Sequence, residues 1–162
     1  MRHLTRTTIV AAAAALTLIA APSAGAVAAP TTSVAVTDGL DVNIGGWAEG
    51  AAILADGDLL VANLNQHKIQ RVDAQAHQIT TVAEVADPSQ MVVDGDTVYV
   101  VTGNTPASIF TRKGGVLAID LTTGARRTVT TGMGEASGMA RLPDGDLVVS
   151  VTLGGDGGVH RG

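Results

Sequence analysis

The tripeptide Asp-Gly-Asp occurs three times in this chain, and each copy directly precedes a run rich in valine or leucine. The copies begin at Asp56, Asp94 and Asp144, at intervals of 38 (56 to 94) and 50 (94 to 144) residues. Asp-Gly beside such a run indicates a β-hairpin, because glycine adopts the positive φ that a tight turn requires. The sequence therefore predicts that one hairpin unit is repeated along the chain.

A second spacing recurs downstream of the hairpins. Val82 follows Asp73 by nine residues in the first unit, and Val129 follows Asp120 by nine residues in the second. An array of strands and turns with a period near forty residues is typical of the blades of a β-propeller. We therefore predict an all-β chain that forms a partial β-propeller of about three four-stranded blades, the third incomplete.

The predicted organisation has three segments: a signal peptide (residues 1–26), a linker with an N-terminal strand at 33–37 (residues 27–43) and the partial propeller (residues 44–162). The blades are expected at about 44–86, 87–133 and 134–162. In the first blade the apolar and β-branched pattern predicts strands at 51–55, 59–63, 68–73 and 78–83. An insertion at 103–112 contains proline and is predicted to be an extended loop.

The N-terminus has the pattern of a secretory signal peptide. Arg2 and Arg6 precede an apolar run at 9–21, and the small residues Ala24-Gly25-Ala26 follow it. We expect a helix within 7–21, cleavage after Ala26, and a secreted protein. A retained N-terminal anchor is the alternative, although the run is short for a membrane span. The chain contains no cysteine, which excludes disulfides and lipid attachment at a cysteine.

Charge narrows the range of partners. The formal net charge of the whole chain is −5, and loss of residues 1–26 removes two arginines and no acid. An acidic exported domain without a basic cluster argues against nucleic acid and against an anionic membrane after signal cleavage. A small molecule or another protein remains open as partner. Because three blades cannot close a ring, we also expect the isolated chain to aggregate or to form a homo-oligomer of two copies through its open blade faces.

Two sequence motifs carry a resemblance to known families. The hairpin and strand at 56–61 are followed at 65–73 by NQHKIQRVD, which resembles the consensus of the NHL repeat. The segment Trp47-Ala48-Glu49-Gly50 resembles the Glu-Gly-Pro motif of SMP-30/gluconolactonase/LRE-like propellers, with Ala51 in place of proline. Both families are six-bladed β-propellers, and the resemblance covers about residues 44–162.

The resemblance implies a site on one face of the propeller, around the central channel. In the lactonase-like enzymes a glutamate, matched here by Glu49, holds a divalent cation, commonly calcium, together with Asn and Asp residues of other blades. Asn63 ends a strand where related enzymes have an aspartate ligand, so Glu49 and Asn63 are the candidate metal ligands. The corresponding channel-face positions of the next blades are Ser89 and Ser137. A hard cation needs several oxygen ligands, and these residues supply only part of such a set.

Two classes of function remain open. The interpretation that we favour is an exported, non-catalytic propeller segment that binds a ligand or a partner. The alternative is a calcium-dependent hydrolase of lactones or related esters, whose other blades are missing from this chain. The paired acids of Asp-Gly-Asp are explained by the turns. Neither His67, His77 nor His160 has the spacing of a zinc site, so no cofactor beyond a divalent cation is predicted.

Overall fold

Eleven strands and one short helix account for the regular structure of the residues that the computed structural model describes, 42–153 and 158–161. The predicted signal peptide and the strand predicted at 33–37 lie outside these residues. The elements, in chain order, are β1 (Ala48–Ile53), β2 (Leu59–Asn63), β3 (Lys68–Val72), β4 (Ile79–Glu84), β5 (Met91–Asp94), β6 (Thr97–Thr102), α1 (Pro106–Thr111), β7 (Gly114–Asp120), β8 (Arg126–Met133), β9 (Glu135–Arg141), β10 (Leu147–Leu153) and β11 (Gly158–Arg161).

The strands form three antiparallel sheets in which sequence neighbours are also spatial neighbours. Blade 1 has the order β1-β2-β3-β4, blade 2 has β5-β6-β7-β8, and a three-stranded sheet has β9-β10-β11. The first strands of neighbouring sheets contact each other, as the inner strands of a propeller do. The all-β prediction of about three blades is confirmed, and β2 has the bounds predicted from its sequence.

Blade 2 lies between two hydrophobic cores. On one side Val100 packs in a core that includes Leu60 and Ile69 of blade 1. On the other side its neighbour Val101 packs in a core that includes Val149 of the third sheet. Successive side chains of a strand point to opposite faces, so adjacent valines can serve both cores. Each fully buried side chain of this size contributes about 1.5–3 kcal/mol to folding.

Each Asp-Gly-Asp copy joins the first two strands of a sheet, as the predicted repeat requires, but the turns are not identical, which corrects the prediction of the same hairpin in every copy. In blade 1 the Gly57 N–H donates to the Leu54 carbonyl (3.0 Å) and the Leu54 N–H donates to the Asp58 carbonyl (2.8 Å). This is a three-residue loop whose last residue, Gly57, has a φ of +94°. Gly145 of the third sheet occupies the same position, with a φ of +98°.

Blade 2 uses a shorter turn. Asp94 pairs directly with Thr97, which leaves only Gly95 and Asp96 in the turn, and Gly95 has a φ of +57°. The physical difference is the length of the first strand, since β5 extends to the aspartate itself. In the other two sheets the first strand ends three residues before the aspartate, at Ile53 and Arg141.

The insertion in blade 2 contains a helix, which corrects the prediction of an extended loop. The helix α1 follows Thr105, which is extended, and begins with Pro106, whose missing N–H has no helical partner at that position. It ends at Arg112, whose φ is +49° and whose N–H donates to the Ser108 carbonyl. Proline therefore starts a short helix here instead of preventing one.

The nine-residue spacing reflects a turn that blades 1 and 2 share. Asp73 precedes the turn between β3 and β4, and Asp120 ends β7 before the turn to β8. The Oδ1 atoms of Asp73 and Asp120 each accept two backbone N–H groups from the turn that follows. The left-handed residue of the turn is His77 in blade 1 and Gly124 in blade 2, with φ values of +56° and +74°.

Among residues 42–153 and 158–161 we find no helix with the length and hydropathy needed to span a membrane.

Candidate functional site

A cluster of polar groups joins the three sheets at the end where the inner strands β1, β5 and β9 begin. The Asn104 Nδ2 donates to Glu49 Oε1 at 2.8 Å and to Ser89 Oγ at 3.3 Å. The Ser89 hydroxyl in turn donates to the Ser137 carbonyl at 2.8 Å. We call Glu49, Ser89, Asn104 and the Ser137 carbonyl the mouth cluster. The structure thus brings together three of the four predicted site positions.

Asn104 is the member of this cluster that sequence reasoning missed. It lies beyond the end of β6, after Gly103, and its backbone N–H donates to the Asp87 carbonyl at 3.2 Å. Gly103 has a φ of +75°, and a Cβ atom there would lie 2.7 Å from the Gly114 Cα. The Gly-Asn pair before the insertion was the available signal, because glycine at such a bend aims the next side chain.

Close backbone packing holds Glu49 beside the second blade. A Cβ atom at Gly50 would lie 2.6 Å from the Ser89 carbonyl oxygen, so only glycine lets β1 approach this segment so closely. Ser89 is 2% exposed, whereas Glu49 is partly buried. The Glu-Gly pair of the sequence therefore combines a carboxylate with the space that the neighbouring blade requires.

Asn63 lies in a different environment from Glu49. Its side chain is fully buried, and Nδ2 donates to Gln70 Oε1 at 2.8 Å and to the Ile44 carbonyl at 3.2 Å. Its Oδ1 has no hydrogen-bond partner among the described residues, and a Cβ atom at Gly46 would lie 2.3 Å from this oxygen. No hydrogen bond within the described part of the chain joins Asn63 to Glu49. Their role as joint metal ligands stays a prediction.

The mouth cluster offers few ligands for a cation. No group of three or more histidine, aspartate or glutamate side chains within 42–153 and 158–161 could hold a metal ion. The cluster contains one carboxylate, Glu49, and the Ser89 hydroxyl already donates to a carbonyl. Calcium takes roughly six to eight oxygen ligands. The donor set of the described residues therefore does not fit a complete calcium site.

A strained loop contact supports the segment that leads to Ser89. His67 and Asp87 both have positive φ values, +53° and +46°, which non-glycine residues seldom adopt. The His67 Nδ1 lies 3.2 Å from Asp87 Oδ1 and 3.3 Å from the Asp87 nitrogen, whose N–H donates to it. Because the Asp87 carbonyl accepts the Asn104 N–H, this contact links blade 1 to the mouth cluster.

Two exposed aromatic side chains lie at the same end of the propeller. Trp47 precedes β1 and is 64% exposed, and Phe110 lies in α1 and is 86% exposed. The whole chain contains only three aromatic residues, one each of Trp, Tyr and Phe. Two of the three are therefore exposed in segments next to residues of the mouth cluster.

No family model and no curated protein matches this sequence. The structural similarities are to propellers. The PQQ-bound aldose sugar dehydrogenase of Streptomyces coelicolor has a TM-score of 0.57 at 24% identity, over 72% of this chain and 44% of that chain. A protein named as a candidate gluconolactonase has a TM-score of 0.56 at 18% identity, over 68% and 43%. Virginiamycin B lyase of Staphylococcus aureus has a TM-score of 0.50 at 16% identity, over 70% and 40%.

The fold is that of a β-propeller. The resemblance inferred from the NHL-like and Glu-Gly motifs is thus confirmed at the level of the fold. At these identities the similarity extends to the fold alone, and the chain spans less than half the length of these proteins. Their activities differ from one another, so the function has to be argued from the site.

Proposed function

We propose that this chain is a non-catalytic propeller segment that binds a small polar ligand at the mouth cluster. The observation that carries the proposal is the bond of Asn104 Nδ2 to Glu49 Oε1 (2.8 Å), which joins residues 55 positions apart on two blades. Residues on loops at one end of a rigid scaffold are the usual location of binding sites. Glu49 provides a charged acceptor and Asn104 a neutral polar group, while Ser89, which is 2% exposed and bonded on both sides, positions the Asn104 amide.

The exposed aromatic residues suggest the shape of the ligand. Trp47 and Phe110 present apolar surface in segments of the chain near members of the cluster, since Trp47 lies two residues before Glu49 and Phe110 lies in the helix that follows Asn104. A ring that carries hydroxyl groups can use both, because its faces pack on aromatic side chains and its edges form hydrogen bonds. We therefore expect a polar cyclic ligand rather than a purely apolar one.

The second candidate is a calcium-dependent lactone hydrolase. It is favoured by one observation, the presence of the Glu49 carboxylate at the start of an inner strand in a fold similar to that of a candidate gluconolactonase. The donor set of the described residues argues against it, because Glu49 is the single carboxylate of the mouth cluster. The PQQ of the aldose sugar dehydrogenase belongs to that protein, and nothing in the mouth cluster is specific for it.

One probe, D-glucono-1,5-lactone, separates the two candidates. We expect the lactone to shift the amide NMR signals of Ser89 and Asn104, and we expect its hydrolysis with calcium chloride to proceed only at the rate of buffer. Glu49→Gln should weaken binding about tenfold, since the acceptor oxygen is kept but its charge is removed, and hydrogen bonds to neutral acceptors are weaker. Glu84→Gln removes an exposed carboxylate of β4 and is the matched control.

Absence of any shift at Ser89 and Asn104 would contradict a binding site for this class of ligand. The second candidate would instead be established if calcium stimulated hydrolysis of the lactone, and if this activity were lost in Glu49→Gln but kept in Glu84→Gln. Binding without hydrolysis, sensitive to Glu49 alone, is the result expected from the proposal.

We also propose that the protein is exported after cleavage near Ala26, as its N-terminal pattern indicates. Secreted material should begin at Val27 or within a few residues of it, as Edman sequencing would determine. Soluble cytoplasmic protein that retains Met1 would contradict export. The predicted self-association through open blade faces is tested by size-exclusion chromatography with light scattering, and a monomer would contradict it.

A further inference from the structure

A groove of about 200 Å³ lies on blade 2, toward the end of the propeller opposite to the mouth cluster. Its floor follows one row of side chains across the sheet, since Tyr99 pairs with Ala118 and Ala118 pairs with Arg127. Paired residues of neighbouring strands point to the same face. The small Ala118 side chain between the tyrosine ring and the longer arginine therefore leaves the space that forms the groove.

Three charged residues line the groove, one carboxylate and two guanidinium groups: Asp120, Arg126 and Arg127. Asp120 lies on the same face as Ala118, two residues further along β7. Within the described part of the chain the Arg127 guanidinium has no hydrogen-bond or ionic partner, and no ion pair joins it to Asp120. Arg126 makes a different contact, because its Nη1 donates to the Glu84 carbonyl of blade 1 at 2.8 Å. Arg127 is therefore the cation available to a ligand in the groove.

The aspartate is held in its charged form by the turn that follows it. Backbone N–H groups of Thr122 and Thr123 donate to Asp120 Oδ1 at 2.9 and 2.7 Å. The bond from Thr123 is the largest cause that lowers the pKa of Asp120, so the carboxylate is ionised at neutral pH. The groove thus presents one negative charge and two positive charges beside an aromatic ring, and of the two guanidinium groups only that of Arg127 is without a partner among the described residues.

We propose that this groove binds a small zwitterion, with its carboxylate on Arg127 and its ammonium group on Asp120. An isolated anion would be attracted by the two arginines but repelled by Asp120, and an isolated cation would be attracted by Asp120 but repelled by the arginines, so neither uses every charge of the site. A molecule that carries both charges is attracted by both residues, and its apolar part can pack on Tyr99. The chemical class is therefore that of free amino acids and similar ammonium carboxylates. The proposal does not depend on the function proposed for the mouth cluster.

The test uses L-valine as the zwitterion, with acetate and methylammonium as singly charged probes, each titrated into the full chain at pH 7. We expect L-valine to shift the NMR signals of Tyr99 and Arg127 and to bind about tenfold more tightly than either singly charged probe. Failure of L-valine to shift these signals would overturn the proposal. Equal affinity for acetate and L-valine would also overturn it, because Asp120 would then have no part in binding.

Three variants and one control locate the site. Arg127→Gln removes the cation, and Asp120→Asn removes the charge while keeping the oxygen that accepts from the turn; each should weaken L-valine binding about tenfold. Ala118→Leu fills the groove without changing charge and should abolish binding. Lys113→Gln removes an exposed cation outside the groove and should leave binding unchanged. Unchanged affinity in both Arg127→Gln and Ala118→Leu would overturn the proposal even if one of the other variants failed to fold.

Discussion

Blades 1 and 2 contain the same Asp-Gly-Asp tripeptide but use its acids differently. In blade 1 Arg71 contacts both acids, with Nη2 2.5 Å from Asp56 Oδ2 and Nε 2.7 Å from Asp58 Oδ2, so the contacts stay within one sheet. In blade 2 Asp94 instead contacts Arg141 of the third sheet at 2.9 Å. The same local sequence thus stabilises one blade internally and joins another blade to its neighbour. Which contact forms depends on where an arginine stands elsewhere in the chain.

The largest effect that we expect comes from alanine substitutions in the core that the two blades share. These substitutions test whether the blades fold as one cooperative unit despite their different ion pairs. Ile69 of blade 1 and Ile119 of blade 2 are fully buried in the same core. We expect Ile69→Ala and Ile119→Ala each to lower the free energy of unfolding by about 2–5 kcal/mol, through loss of apolar burial and the cavity left behind. Chemical denaturation measures this. Ile53→Ala is the control, because Ile53 is 72% exposed. Two separate transitions in the wild type would show that the blades unfold independently.

The next largest effect that we expect comes from substitution of the turn glycine in each of the two hairpins. Gly57 has a φ of +94° and Gly95 a φ of +57°, and neither would bring a Cβ atom within 4 Å of another residue. Gly95 is the first residue of a two-residue turn whose second residue, Asp96, has no positive φ, which is the pattern of a type II′ turn with glycine at its first position. Gly57 ends a three-residue loop in the left-handed position, where asparagine is tolerated. We therefore expect Gly95→Asn to destabilise the protein by about 1–2 kcal/mol and Gly57→Asn by less than about 1 kcal/mol. Equal losses in thermal denaturation would mean that the two turns are equivalent.

A smaller loss of stability is expected when the arginine of either ion pair is removed. Arg71 and Arg141 are both substantially exposed, at 41% and 39% of their side chains, so solvent screens their ion pairs. We expect Arg71→Gln to cost at most about 1 kcal/mol and Arg141→Gln about half of that, since Arg71 contacts two carboxylates. The double variant should show additive losses, because the contacts share no residue. A larger loss for Arg141→Gln would show that contact between blades matters more than contact within one.

The smallest effect is a pH dependence to which each blade contributes one carboxylate of lowered pKa, Asp58 in blade 1 and Asp120 in blade 2. The Ala74 N–H, followed by the Arg71 guanidinium, lowers the pKa of Asp58 from its ordinary value. A carboxylate whose pKa is lower in the folded state stabilises the fold above the unfolded pKa, and this stabilisation is lost as the pH falls through the folded value. We expect stability to decline below about pH 4. Asp58→Asn should flatten this decline relative to Asp94→Asn, and identical profiles would contradict the assignment.

Local pattern predicted the parts of the fold that depend on neighbouring residues. The strand Leu59–Asn63 is present with its predicted bounds, because its β-branched and leucine residues suit a sheet buried on both faces. The turns after Asp73 and Asp120 recur because each aspartate accepts N–H groups only two and three residues away. The different hairpin of blade 2 was missed, since the tripeptide alone does not say where the preceding strand ends.

The candidate site likewise contains residues that could be identified from the sequence and one that could not. Glu49, Ser89 and Ser137 could be selected from the sequence because each stands near the start of a repeated unit. Asn104 could not be selected in this way. Its place in the cluster depends on contact with Glu49, 55 residues earlier, and on the glycine bend at the start of the insertion in blade 2. The groove between Tyr99 and Arg127 likewise exists only because three strands align a small residue between two large ones. The sequence by itself determined the strands and turns, since these follow from interactions within a few residues. Only the tertiary structure decided which side chains meet, because that depends on register and on the packing of one blade against the next.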